Sequence, residues 1–195
     1  MREVLDELMQ WWEAGETVGV GTVVATFQPA PRPPGASMLV GPDGSAVGSV
    51  SGGCVEGAVY ELGESVLESG VPVLERYGVS DDDAFAVGLT CGGMLDVYVE
   101  KVNQQTFPEL AEIAADIEAG RPVALATVIE HPDPAWLGRR VVVRPEGIVP
   151  NEPHPSGPES GAERSGLSGS LGSPRRDAAV YDDALGLLAS GHNGP

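Results

Sequence analysis

Residues 2–14 place Val4, Leu5, Leu8, Met9 and Trp12 at spacings of three and four, which predicts an amphipathic helix ended by Gly15. Val18–Phe27 is β-branched and apolar, the pattern of a buried strand. Four prolines and Gly35 then fix a turn in QPAPRPPG (28–35). Two short strands follow at Ser37–Val40 and Ala46–Val50, separated by the turn GPDG. After the loop SGG, Val55, Val59, Leu62 and Val66 share one face of a helix expected over Cys54–Glu68, with Gly70 as its stop. Val71–Tyr77 and Met94–Val102 read as strands, the second turning Leu95, Val97 and Val99 inward.

The second half reads as a degenerate copy of the first. EAGETVGVGTVV (13–24) matches EAGRPVALATVI (118–129), and VGPDG (40–44) matches VRPEG (143–147). Residues 48–70 match 169–191 with 8 identities in 23 positions. Three blocks in the same order point to duplication of one supersecondary unit. The expected organisation is a complete unit at 1–102, holding both cysteine loops, and a partial copy at 103–195. The copy carries an insert at 148–168, in which 14 of 21 residues are Gly, Pro, Ser or Glu. Such a segment buries too little apolar area to offset its ordering entropy, so a flexible insert is expected. The fold class is mixed α/β (α+β): a layered sheet with helices and a degenerate internal repeat. The copy lacks counterparts of the strands at 71–102, which leaves a sheet edge for a partner chain or a homodimer to cover.

Charge narrows the function. Against 29 Asp and Glu stand 11 Lys and Arg, a net charge of −18. That field repels phosphate backbones and anionic membrane surfaces, so neither nucleic acid nor membrane is an expected partner. No apolar run reaches the ~18 residues a membrane span needs, and MREVLDELMQWW lacks the apolar core of a signal peptide. A cytoplasmic protein is the expectation. The 27 glycines and 17 prolines are nearly a quarter of the chain. They concentrate in the turns, the cysteine loops and the insert.

The candidate chemistry lies in SGGC (51–54) and TCGG (90–93). Cys54 falls at an expected helix start, where unpaired amides and the helix dipole would stabilise a thiolate and cradle an anion such as a phosphate. The bland alternative is two small cysteines buried in tight turns. Arg32, between prolines, is a candidate anion grip or a plain surface turn. Asp81–Asp83 suit a divalent cation less well than a solvated loop or a helix start. His131, His154 and His192 show no metal-ligand spacing to the cysteines, and no histidine precedes them to pair with Cys54. No Rossmann or Walker glycine pattern occurs, and the single lysine, Lys101, makes Schiff-base chemistry a poor candidate.

PRPPGASMLVGPDGSAVGSVSGGCVEGAV (31–59) and AVGLTCGGMLDVYVE (86–100) resemble the signature stretches of the XdhC/CoxI family, accessory factors for xanthine dehydrogenase, carbon monoxide dehydrogenase and related molybdenum hydroxylases. The resemblance implies a maturation factor rather than a catalyst. Such a factor transiently binds the molybdenum cofactor, as molybdopterin or a dinucleotide form, assists its sulfuration and delivers it to the hydroxylase apoenzyme. It implies cofactor contacts at Cys54, Gly52, Gly53 and Glu56, and at Cys91, Gly92 and Gly93, with Arg32 as a further anion contact. Molybdenum would be met only through the cofactor, with Cys54 as the candidate. A cysteine desulfurase is a further expected partner. Family members often continue into a Rossmann-like domain, which this sequence does not contain, so a separate Rossmann-type partner is expected too. Two other readings stay open: a thiol redox or sulfur-transfer enzyme using Cys54 with Cys91 as resolving partner, and a docking module that binds no ligand.

Overall fold

The computed structural model describes residues 1–27, 30–78, 93–145, 167–171 and 173–191. They form two compact units, 1–111 and 112–192.

The first unit opens with a single 3-10 turn and helix α1 (Leu5–Glu13). Strands β1 (Val18–Phe27), β2 (Ser37–Val40) and β3 (Ala46–Gly48) follow, then helix α2 (Glu56–Ser69), β4 (Val73–Gly78) and β5 (Met94–Val102). The strands make one sheet in the order β3-β2-β1-β5-β4, every neighbour antiparallel. The central pairing joins β1 to β5 over its full length, Val18 opposite Val102 and Phe27 opposite Met94, with a bulge between Val23 and Ala25. At that bulge Val23 takes the proline turn: Gly35 N–H donates to its carbonyl, and its own N–H donates to Ala36.

Helix α2 covers one face. Val55, Val59 and Val66 pack there with Val23, Met38, Leu95, Val97 and Val99. Close approach is possible because the facing positions lack side chains. A Cβ on Gly21 of β1 would lie 2.9 Å from Val59, and one on Gly63 of α2 would lie 2.7 Å from Val40. Helix α1 packs against β1 and contributes Leu5 and Leu8 to the buried set. The expected one-sided alternation of β5 is corrected here. Asp96 and Tyr98, between the inward residues, are buried as well, because Asp96 holds Arg76 of β4 through two hydrogen bonds (2.6 and 2.8 Å). The element ends also shift slightly from expectation. β3 stops at Gly48, whose φ of +89° breaks the extended backbone, and α2 starts at Glu56 because the amides before it are used in the loop.

The second unit repeats the plan. Helix α3 (Leu110–Glu118) leads to β6 (Ala124–Thr127), β7 (Arg140–Val143), β8 (Leu167–Gly169) and α4 (Pro174–Ser190). The sheet order β6-β7-β8 reproduces β1-β2-β3, again antiparallel. Val141, Val143, Leu171, Tyr181 and Ala184 form its core. Asp116 of α3 is buried between Arg121 (2.8 Å) and Arg144 (2.7 Å). Burial opposes its charge, but the hydrogen bonds from Arg144 and Arg121 prevail and hold its carboxyl below the usual range. Among the described residues β6 pairs only with β7, whereas β1 pairs on both sides. Most of the insert expected at 148–168 lies outside the described residues.

The glycine contacts give a direct test. Gly63→Ala should cost about 1–3 kcal/mol of stability, since overpacking outweighs the gain in helix propensity. Exposed Gly57 of the same helix has nothing within 4 Å of a Cβ, so Gly57→Ala should be neutral or stabilise by at most about 1 kcal/mol. Urea denaturation of both variants separates packing from propensity; equal responses would show that α2 does not depend on the small side chain.

Candidate functional site

The sheet topology gathers the sequence-singled segments at one end. β1 ends there, β2 begins there, and β3 and β4 end there, each fixed by the pairings Thr22–Ser37, Met38–Gly48, Phe27–Met94 and Gly78–Met94. The proline turn, the loop leading into α2, and both flanks of the second cysteine loop therefore share this end. Cys91 and Gly92, like Asp81–Asp83, lie outside the described residues. Gly93 is buried, and its carbonyl abuts Gly78, where a Cβ would stand 2.7 Å from that oxygen.

One carboxylate organises the loop 49–55. Glu56, the first residue of α2, turns its side chain back toward the preceding chain. Its Oε1 accepts from Ser49 Oγ (2.7 Å), Val50 N (3.2 Å) and Ser51 N (2.9 Å). Its Oε2 accepts from Ser51 Oγ (2.5 Å) and Gly53 N (2.8 Å). The two serine hydroxyls relay the network, Ser49 Oγ accepting from Gly52 N and Ser51 Oγ from Cys54 N and Val55 N, each at 2.9 Å. Gly52 and Gly53, at φ +77° and +113°, supply the turn that aims these amides inward.

This network uses the loop amides that the expected anion cradle included. All six amides from Val50 to Val55 already donate within the loop, so they do not stand open to a phosphate or to the Cys54 thiolate. Glu56 is a positioning residue for the loop. Burial opposes its charge, yet the hydrogen bonds from Ser51 and Ser49 prevail and bring its carboxyl down to about 2. What the network presents is Cys54, half-buried against the edge of the α2 core, beside the exposed Gly52 and Gly53. No atom comes within 4 Å of a Cβ on Gly53, while one on Gly52 would touch Pro31 at 3.9 Å. The proline turn is thus the loop's neighbour.

Arg32 of that turn pairs with Glu3 through its Nη2, and its Nε is buried without a hydrogen-bond partner. The chain's own N-terminal ammonium donates to Gly35. Sequence reasoning placed Ser49 in a strand and Ser51 in the loop without seeing that both hydroxyls bond Glu56, and it missed the Arg76–Asp96 pair, whose guanidinium also lies 4.9 Å from the Phe27 ring. Ser49 carried a signal in the copy: it aligns with Ser170, as Glu56 does with Asp177.

Because the Glu56 carboxyl sits below its ordinary 4.5 in the folded chain, its contribution is complete above that pH and is lost as the pH falls toward 2. Glu56→Gln puts an amide donor against donors. It should cost about 2 kcal/mol at pH 7, a figure discounted for the side chain's partial exposure. The gap from the parent chain should close between pH 4.5 and 2. Urea titrations at pH 7, 4 and 2.5 measure it, and a pH-independent gap would contradict a charge-held loop.

The profile of the XdhC and CoxI family matches residues 11–78 and 116–149, one stretch in each unit and together just over half of the chain. A probable xanthine dehydrogenase subunit from Bacillus subtilis is 30% identical over 131 residues, covering 65% of this chain and 38% of the relative. The molybdenum cofactor insertion chaperone PaoD of Escherichia coli is 32% identical over 124 residues, covering 64% and 38%. The chain thus spans 38% of the length of either relative. A crystal structure of a xanthine dehydrogenase from Bacillus halodurans shares the fold, with a TM-score of 0.56 at 21% identity over 78% of this chain and 45% of that one. With the profile covering the Glu56-held loop and a second stretch in the repeated unit, the chain belongs to the XdhC and CoxI family.

Proposed function

We propose that this chain handles the molybdenum cofactor during maturation of a molybdenum hydroxylase of the xanthine dehydrogenase type, and that Cys54 is its contact to the metal end. The observation that carries the reading is Cys54 presented beside open glycines by a hydrogen-bonded loop, in a chain of this family. The names of the two relatives, a molybdenum cofactor insertion chaperone and a xanthine dehydrogenase subunit, support it.

The residues fit one end of the cofactor. Molybdopterin carries a phosphate, a dithiolene and a molybdenum centre, and a thiolate is a soft donor suited to that centre or to a sulfido ligand on it. The phosphate end finds no open amide in the Cys54 loop, so Arg32 is the cation nearest in role. In finer detail, the proposal includes assistance in sulfuration, with a cysteine desulfurase as sulfur source. It also includes a separate Rossmann-type partner, a homodimer through the edge of β6, and action in the cytoplasm. Among the described residues no helix is long and apolar enough to cross a membrane.

Purified chain mixed with molybdopterin should retain the pterin's fluorescence through gel filtration. Cys54→Ser should retain at least tenfold less with an unchanged circular dichroism spectrum. Absence of retention by the folded parent chain would overturn the carrier reading, and equal retention by Cys54→Ser would remove Cys54 from it.

A further inference from the structure

Four arginines of this acidic chain meet carboxylates. Arg32 pairs with Glu3, Arg76 with Asp96, Arg121 with Asp116, and Arg144 with Asp116 and Glu112. Two arginines of the second unit behave differently. The guanidinium carbons of Arg139 and Arg176 lie 4.2 and 4.6 Å from the Trp136 ring centre. His131 stacks on the same indole at 5.0 Å. Among the described residues neither Arg139 nor Arg176, nor the adjacent Arg175, has a carboxylate within ion-pair distance. The acidic groups closest in sequence are turned to other work. Asp133 accepts from Ala135 N at 3.0 Å, and Asp177 accepts from Ser170 Oγ and Leu171 N at 2.7 Å. Arg175 and Arg176 are exposed, and Trp136 and Arg139 half-buried.

The duplication shows what this cluster replaces. Ser170 and Leu171 donate to Asp177 as Ser49 and Val50 donate to Glu56, at a constant offset of 121 residues. At the same offset Cys54 becomes Arg175, Val55 becomes Arg176, and Ser51 becomes Gly172. In the first unit the Ser51 hydroxyl takes up the amides of Cys54 and Val55. A glycine brings no hydroxyl to that position, and Ser173, which precedes α4, makes no side-chain cap bond. The copy has kept the acid that ties the loop. It has exchanged the thiol for guanidinium groups and removed the hydroxyl that satisfied the amides. Arginine in the first turn of a helix works against the helix dipole, so helix stability does not account for two of them there.

We propose that Arg139 and Arg176, braced on Trp136 and assisted by Arg175, form a site for a phosphate-bearing small ligand. Stacking occupies the face of a guanidinium and leaves its in-plane N–H groups for an anion, the geometry that grips phosphoryl oxygens in pairs. Arg139 commits only its Nε, to the Ala135 carbonyl at 3.2 Å. With their carbons 4.2 and 4.6 Å from one ring centre, the two guanidiniums lie no more than about 9 Å apart, a span that a pyrophosphate group can bridge. The inference rests on the second unit alone and is independent of Cys54.

Isothermal titration calorimetry of the full chain tests it, with inorganic phosphate, pyrophosphate, adenosine 5′-monophosphate and a hexaglutamate peptide as probes. Pyrophosphate should bind, and Arg139→Ala and Arg176→Ala should each weaken it at least tenfold. Arg176→Lys, which keeps the charge and loses the planar fork, should weaken it about tenfold and carries the test if an alanine variant fails to fold. Arg2→Ala, which removes the same charge elsewhere, should bind as the parent does. Tighter binding of the nucleotide than of inorganic phosphate would assign a nucleotide ligand, and the reverse a bare phosphoryl group; both support the site. Absence of binding by every phosphate probe, parent-like binding by Arg176→Ala and Arg176→Lys, or hexaglutamate binding as tightly as pyrophosphate would overturn it.

Discussion

The Glu56 carboxylate is the interaction on which the functional end of the first unit depends. A loop of seven residues with two glycines at positive φ has many alternative conformations, and ordering it is entropically costly. Five hydrogen bonds to one ionised group, relayed by two serine hydroxyls, select one of them. Because bonds to a charged acceptor are stronger than neutral ones, the carboxylate stays ionised despite partial burial, and the backbone polarity of the loop is used up internally. The side chain of Cys54 is then what the loop has to offer. An anion would have to displace Glu56 to reach the amides, at the cost of the loop's own structure.

Above that loop sits a packing constraint of a different kind. Helix α2 begins at the site and runs back across the sheet, so its distance from β1 sets where Cys54 stands. Gly21 and Gly63 let the backbones approach to where a methyl group would collide with Val59 or Val40. The glycine content of the chain therefore has three physical origins: turns that need positive φ, a helix–sheet contact that needs no side chain, and the insert between β7 and β8. Composition could count these glycines but not separate them.

The second unit shows the same scaffold under different chemistry. Its strand order, its helix and its loop-tying acid repeat those of the first, so the hydrogen bonds that shape the turn are common to both copies while the site chemistry is not. Asp177 does for Ser170 and Leu171 what Glu56 does for Ser49 and Val50. Around that shared frame one copy carries a thiol and the other a group of arginines. The family profile, which touches both units, is consistent with a frame kept twice.

Much of the fold was legible from local pattern. Val18–Phe27, Ser37–Val40 and Met94–Val102 are strands with the expected ends, because β-branched runs bounded by glycine and proline state their own limits. The internal repeat was legible for the same reason: aligned blocks preserve both periodicity and punctuation. The burial of Asp96 and Tyr98 was not, since it depends on what covers the second face of β5 and on Arg76 reaching across from β4. At the site, the residue types around Cys54 were readable, and the fate of the amides was not. A sequence states how many donors a glycine loop and a helix start contain. Whether those donors face a ligand or a neighbouring carboxylate is decided by distances of a few tenths of an ångström, which only the folded backbone sets. Likewise the sequence by itself determined the helices, strands and breaks, because these follow from side-chain spacing. The gathering of the proline turn, the Cys54 loop and the flanks of the Cys91 loop at one end of the sheet belongs to the tertiary structure, because it rests on β1 pairing with β5 across more than sixty intervening residues.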